Sequence, residues 1–189
     1  QPIKKRNASR LKLAQFYFAR GMAPEAKGVL QVIEAADPRI DATADFKALK
    51  GAVAALNGET NDAVKNLRDP RLEKYEEIQL WRGIAAAGAE QWKDAQLFFK
   101  HGDAVLHAYP EPLKSKLGLL RVEAALKTQD RGSAARWLST LAKKTDKMTR
   151  GELATLRYGI VKQAGGYILV QSGGEIEGTY FTIYLKRYE

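Results

Sequence analysis

A short unit recurs along this chain and limits its fold more than any other feature. Each unit holds a turn between two contact positions that stand 12 residues apart, and these positions are mostly small. The second contact positions lie at intervals of 37, 32 and 39 residues and are Ala26, Ala63, Ala95 and Ala134. The apolar residues that follow them by four positions are Leu30, Leu67, Phe99 and Leu138. Repetition at this period predicts about four helix–turn–helix units that stack side by side, with small residues where two helices approach.

The first unit shows the pattern most clearly. Gly21 is expected to end its first helix, because glycine adopts the left-handed conformation of a helix cap without strain. Pro38 is expected to end the second helix, because proline lacks an N–H group and clashes with the preceding turn. In the second unit Asp69-Pro70 comes early, which predicts a short second helix. The large apolar residues expected to join the two helices of the first unit are Leu13, Tyr17, Leu30 and Ile33.

These positions resemble the tetratricopeptide repeat, a helix hairpin of about 34 residues. The positions of the first unit that fall in its register are Leu13, Ala14, Tyr17, Ala26, Leu30 and Pro38. The resemblance covers roughly residues 8–167. It implies a mainly α fold, an α–α superhelix of about four to five helix pairs, with the repeat domain at residues 1–166.

The chain ends in two β-rich runs, Tyr167–Gln171 and Thr179–Leu185, with glycine-containing turn sequence between them. This pattern predicts a short C-terminal β-hairpin over residues 167–189. An isolated hairpin is marginally stable in water, and the end of a repeat stack needs a polar cap. The hairpin is therefore expected to cap the last helix pair or to join two copies in a homodimer.

The same end of the chain has a second likeness. Residues 158–189, from Tyr158-Gly159-Ile160 to Tyr184-Leu185, resemble the last helix and final strands of a sensor histidine kinase ATPase domain. The resemblance implies a bacterial type of protein. The boxes that hold magnesium-ATP in that family have no counterpart upstream, so ATP binding is not implied. A native tail, a fused tail and a chance likeness all remain open.

Composition narrows the class of protein further. The chain has 189 residues, 45% apolar content, no cysteine and a net charge of +9. The absence of cysteine excludes disulfides and thiolate metal sites. No run of about 20 apolar residues predicts a membrane span. The first residue is not Met, which favours a processed or excised piece of a longer chain, and the compartment, bacterial cytoplasm or periplasm, stays undecided.

The sequence offers no constellation typical of catalysis. His101 and His107 stand six positions apart, which suits packing or surface positions better than a shared metal site. Glu73, Glu76 and Glu77 cluster where a helix starts, and negative charge there complements the helix dipole. We therefore expect no catalytic residue, no metal and no cofactor.

A protein-interaction scaffold is the function that the pattern favours. In the family it resembles, first helices line a concave groove that binds a segment of a partner. The groove candidates in that register are Lys12, Gln15, Ala19, Leu80, Ile84, Lys116, Leu119, Glu123 and Lys127. Basic ends predict a protein or peptide partner that carries acidic residues. The alternatives are a regulatory or dimerising fragment related to two-component sensor kinases and a basic solenoid that binds nucleic acid. Nucleic acid is disfavoured because the basic residues are not interleaved with exposed aromatic residues.

Overall fold

The computed structural model describes residues 3–111, 113–142, 167–173 and 180–186. Its longer helices come in four successive hairpins. The first two are α1 (Ile3–Ala19) with α2 (Ala23–Ala36), and α3 (Ala44–Leu56) with α4 (Thr60–Leu67). The next two are α5 (Glu76–Gly88) with α6 (Trp92–His101), and α8 (Leu113–Lys127) with α9 (Arg131–Ala142). The mainly α class is therefore confirmed, and the arrangement is compatible with a helical repeat.

Short elements connect these hairpins. The 3₁₀ turns Pro38–Ala42 and Pro70–Leu72 follow α2 and α4, and the single-turn helix α7 (Asp103–Leu106) follows α6. Each second helix contacts the first helix of the next hairpin, α2 with α3, α4 with α5, and α6 with α8. The hairpins thus stack in chain order.

The recurring positions form the centre of this stack, as the sequence pattern predicts. The four alanines of the pattern, Ala26, Ala63, Ala95 and Ala134, are all 0% exposed. The apolar residues four positions later are 0–3% exposed and are Leu30, Leu67, Phe99 and Leu138. Burial of large side chains beside small ones lets the helices of a pair approach closely while apolar area is removed from water.

The turns between paired helices need left-handed backbone. Gly21 and Gly58 have φ values of 74° and 76°, which glycine adopts without strain. In the third and fourth turns Glu90 and Gln129 adopt φ values of 57° and 62°. The prediction that Gly21 ends the first helix is confirmed, because α1 ends at Ala19.

The predicted short second helix of unit two is also confirmed. Helix α4 has eight residues, and Pro70 begins a 3₁₀ turn just after it. The Asp69 carboxylate accepts hydrogen bonds from the Arg71 backbone N–H at 3.1 Å and from Arg71 Nε at 2.9 Å. The Arg71 guanidinium holds the pKa of Asp69 well below its usual range, so this turn is tied by a charged hydrogen bond.

One packing prediction for the first unit is wrong. Leu30 and Ile33 are buried and Tyr17 is half-buried, but Leu13 is 42% exposed. Helix α1 contacts α2 through the side that carries Ala14, and Leu13 lies on a different side that no described helix covers. A single-helix pattern identifies apolar positions but not which of them another element will cover.

The fourth unit differs from the predicted register in its close contact. Val122 stands at the repeat position, but a Cβ atom on Gly118 would lie 2.7 Å from Leu141 Cδ2. The closest approach of α8 and α9 is therefore one turn earlier than the repeat predicts.

The strands β1 (Tyr167–Gly173) and β2 (Tyr180–Lys186) pair in antiparallel register, with Tyr167 opposite Lys186 and Gly173 opposite Tyr180. Residues 143–166, 174–179 and 187–189 lie outside the described residues. The kinase-like helix falls in that part of the chain. The division at residue 166 and the role of the terminal hairpin stay predictions.

Among the described residues, no helix is long and apolar enough to span a membrane.

Two glycine-to-alanine substitutions should have opposite effects on stability. A Cβ atom at Gly83 would lie 2.5 Å from the Phe99 ring, which is 3% exposed and faces the Arg121 guanidinium. We expect Gly83→Ala to lower the free energy of unfolding by about 1–2 kcal/mol, because the clash exceeds the gain in helix propensity. A Cβ atom at Gly28 meets nothing within 4 Å. Gly28→Ala should raise the free energy of unfolding by up to about 1 kcal/mol. Urea denaturation followed by circular dichroism measures both, and stabilisation by Gly83→Ala would contradict the close packing of α5 on α6.

Candidate interaction surface

The predicted groove residues divide into two classes in the structure. The exposed ones are Lys12, Gln15, Lys116 and Lys127. The half-buried ones are Ala19, Leu119 and Glu123. Leu80 and Ile84, at 0% and 3% exposed, belong to the core. The ends of the predicted groove therefore reach the surface, whereas its middle does not.

The accessible candidates on α8 share one side of the helix. Lys116, Leu119, Glu123 and Lys127 follow one another at three- and four-residue steps, which is the spacing of a single helical face. The other side of α8 is core, with Leu117 and Val122 at 0% exposed. Lys127 Nζ lies 5.6 Å from the centre of the Trp92 ring. We call Lys116, Leu119, Glu123 and Lys127 the α8 stripe.

The middle of the predicted groove is covered by the chain itself. Residues 102–111, which we call the covering segment, connect α6 to α8 and include α7, and α7 contacts α5. A Cβ atom at Gly102 would lie 2.9 Å from the N, Cα and Cβ atoms of Leu80. Leu106 of the same segment is 0% exposed. The assignment of Leu80 and Ile84 to a partner-binding groove is therefore wrong, because Leu80 lies under this segment and Ile84 is buried in the core beside it.

An aromatic cluster fixes the covering segment in place. The Trp81 ring lies 4.9 Å from the Phe18 ring and 5.8 Å from the Tyr109 ring, between ring centres. Trp81 Nε1 donates a hydrogen bond of 2.9 Å to Tyr109 Oη, and the Tyr109 hydroxyl donates to the Glu77 carboxylate. Burial and the neighbouring Glu77 carboxylate raise the pKa of Tyr109. The cluster joins α1, α5 and the covering segment.

Sequence reasoning missed the covering segment, although a signal for it was present. The interval of 39 residues between Ala95 and Ala134 is the longest of the three. The extra residues fall between α6 and α8, where the covering segment lies. An interval longer than the others indicates an insertion, but it does not say on which side of the stack the insertion lies.

Arg121 is a buried cation behind the α8 stripe. Its Nη2 donates to the Phe99 carbonyl oxygen at 2.7 Å, and its guanidinium lies 4.1 Å from the centre of the Trp137 ring. Burial lowers the pKa of Arg121 to about 10. The side chain is 4% exposed, so it supports the packing of α8 on α6 and does not add to the surface charge.

A cleft of about 350 Å³ opens elsewhere, between α4, α5 and α6. Leu67, Ala85 and Phe98 form apolar wall, and Arg82 lies beside them with its Nη2 donating to the Leu67 carbonyl oxygen at 2.9 Å. Asp94 and Glu73 line it together with Arg68 and Arg82, so both signs of charge are present. The cleft lies beside the end of the short helix α4, and this mixture of charges selects no single ligand class.

The histidines occupy packing and surface positions. The His107 ring stacks on the Trp137 ring at 5.8 Å between centres, and His101 is exposed. Among the described residues, no group of three or more His, Asp and Glu side chains could hold a metal ion. The expectation that the chain is not an enzyme stays a prediction.

Comparisons of the chain with protein-family models, with curated proteins and with solved structures find no match. We therefore infer function from the contacts and charges of the described residues alone.

Proposed function

We propose that this chain is a non-enzymatic interaction scaffold, a tetratricopeptide-like solenoid that binds a segment of a partner protein along the α8 stripe. The observation that carries this proposal is the division of α8 into a buried side and an accessible stripe. Leu117 and Val122 hold the helix in the stack at 0% exposed, while Lys116 and Lys127 remain exposed. A helix fixed on one side presents the other side in a defined geometry, which favours specific binding with little loss of conformational entropy.

The charge of the stripe indicates an acidic partner segment. Lys116 and Lys127 stand 11 positions apart, about 16 Å along a helix, with Leu119 between them. Among the described residues neither lysine forms an ion pair within 4.0 Å. An extended segment with an apolar residue between two carboxylates would match this spacing. Such charge complementarity mainly sets specificity and the rate of association.

The finer architecture belongs to the same proposal. The four helix hairpins are assigned as tetratricopeptide-like units, and the pairing of β1 with β2 supports a C-terminal β-hairpin that caps the stack or joins two copies. Light scattering on the full chain distinguishes these two roles, because only the second gives a homodimer.

Charge reversal on the α8 stripe tests the binding proposal. Peptides selected from a random display library on the full chain should be enriched in Asp and Glu. Their affinity, measured by fluorescence anisotropy, should fall by about tenfold or more in the double variant Lys116→Glu and Lys127→Glu, because two attractive contacts become repulsive. The matched control is Lys93→Glu with Lys100→Glu, which reverses two exposed lysines on α6. Selection of basic or neutral peptides, or an equal loss of affinity in the control, would overturn the proposal.

A further inference from the structure

Helix α1 exposes a second apolar surface, away from the α8 stripe. Leu13 and Phe16 are 42% and 49% exposed, and Ser9 is also exposed. At 3.6 residues per turn these three positions fall within about 60° of one another around the helix. The Arg20 guanidinium lies 4.5 Å from the centre of the Phe16 ring. We call Ser9, Leu13, Phe16 and Arg20 the α1 outer face.

The same positions are buried in every later unit. The residues that occupy the position of Ser9 are 0–5% exposed and are Phe46, Ile78 and Leu117. The residues that occupy the position of Phe16 are 0–2% exposed and are Val53, Ala85 and Ala124. In those units the first helix contacts the second helix of the preceding pair. The register therefore identifies the α1 outer face as the side on which a first helix packs against another helix.

The position of Leu13 gives independent support for this identification. In later units it holds a cation that reaches back to the end of the preceding second helix. Lys50 bonds Glu34 of α2 and lies 3.1 Å from Asp41 Oδ1. Arg82 Nη2 donates to the Leu67 carbonyl oxygen of α4 at 2.9 Å, and Arg121 Nη2 donates to the Phe99 carbonyl oxygen of α6 at 2.7 Å. A cation at a helix C-terminus is favoured by the helix dipole. Unit one has apolar Leu13 here, so an occupant would meet an apolar contact in place of this bond.

The charge around the face indicates what kind of helix would fit. Helix α1 contains five Lys or Arg residues and no Asp or Glu, and the first acid of the sequence is Glu25. A second copy that presented its own α1 would bring two basic helices together, which is unfavourable. An occupant with apolar residues on one side and carboxylates beside them would bury Leu13 and Phe16 and pair with the cations.

We propose that an acidic amphipathic helix of a partner protein docks on the α1 outer face. It packs where the second helix of a preceding pair packs in the later units, and its apolar side covers Leu13 and Phe16. This surface is separate from the α8 stripe, so the two proposals stand or fall independently.

A labelled synthetic helix tests the docking. The probe carries leucine at positions i, i+4, i+7 and i+11 with glutamate on the flanking positions, and its control has the same composition in scrambled order. In anisotropy titrations with the full chain, the probe should bind and the scrambled peptide should not. The double variant Leu13→Ser and Phe16→Ser should weaken binding about tenfold or more, because it removes the apolar anchor. Thermal melting should stay unchanged in this variant, since both side chains are exposed.

Matched variants make the outcome specific. The control Tyr75→Ser with Leu97→Ser removes two other exposed apolar side chains, 48% and 56% exposed, and should leave binding unchanged. The α8 variant Lys116→Glu with Lys127→Glu should also leave it unchanged. Equal binding of the scrambled peptide, or equal loss in the Tyr75 and Leu97 control, would overturn the proposal. It would also be overturned by a dimer that Leu13→Ser with Phe16→Ser dissociates, or by binding to anionic phospholipid vesicles with none to the probe.

Discussion

Trp81→Ala should lower the free energy of unfolding by about 3–5 kcal/mol, a large part of the stability of a typical domain. Trp81 is 1% exposed, and its ring contacts the rings of Phe18 and Tyr109. Its loss removes a large apolar area from the core and leaves a cavity between α1, α5 and the covering segment. The Tyr109 hydroxyl would also lose the hydrogen bond that Trp81 Nε1 donates.

Chemical denaturation followed by circular dichroism at 222 nm is the suitable measurement, because the substitution itself changes tryptophan fluorescence. Trp81→Phe is the matched control, since it keeps an aromatic ring and removes the N–H donor. We expect it to cost clearly less than Trp81→Ala. If Trp81→Ala unfolds within 1 kcal/mol of the wild type, Trp81 does not hold these three elements together.

Gly102→Val should detach the covering segment from α5. A Cβ atom at Gly102 would lie 2.9 Å from backbone atoms of Leu80, and backbone in the middle of a helix cannot shift as a side chain can. We expect a loss of about 2–3 kcal/mol in the free energy of unfolding, at the upper part of the range for overpacking. Unlike Gly83→Ala, this change brings no compensating gain in helix propensity, because Gly102 lies between helices.

Limited digestion with chymotrypsin reports on the segment itself, because Leu106 and Tyr109 are cleavage points that the fold buries or half-buries. Cleavage there should be faster in Gly102→Val than in the wild type, as expected for a segment that opens locally. Gly28→Val serves as the control, since a Cβ atom at Gly28 meets nothing within 4 Å. An unchanged digestion rate in Gly102→Val would mean that the segment does not depend on its close approach to Leu80.

The covering segment changes how this stack can bind a partner. It fills the middle of the concave side, where Leu80 would otherwise contact solvent, and it leaves the α8 stripe and the α1 outer face accessible. The two proposed surfaces thus lie on the fourth and first hairpins of the stack. A partner that engages one of them need not displace the segment.

Local pattern alone determined the repeat, its turns and the short helix α4. Two helices joined by a tight turn must meet along the face nearest that turn, so the small residues of that face are fixed by spacing within one unit. Ala26 and Ala134 are accordingly 0% exposed, and α4 ends just before Asp69-Pro70.

The tertiary structure alone decided which apolar residues of the first helices reach solvent. Leu13 and Leu80 are both leucines on first helices, yet one is 42% exposed and the other 0%. Their difference depends on what lies over them: the covering segment approaches Leu80 through Gly102, and no described helix covers Leu13. Burial is set by elements distant in the chain, and the spacing of residues within a unit contains no information about those elements.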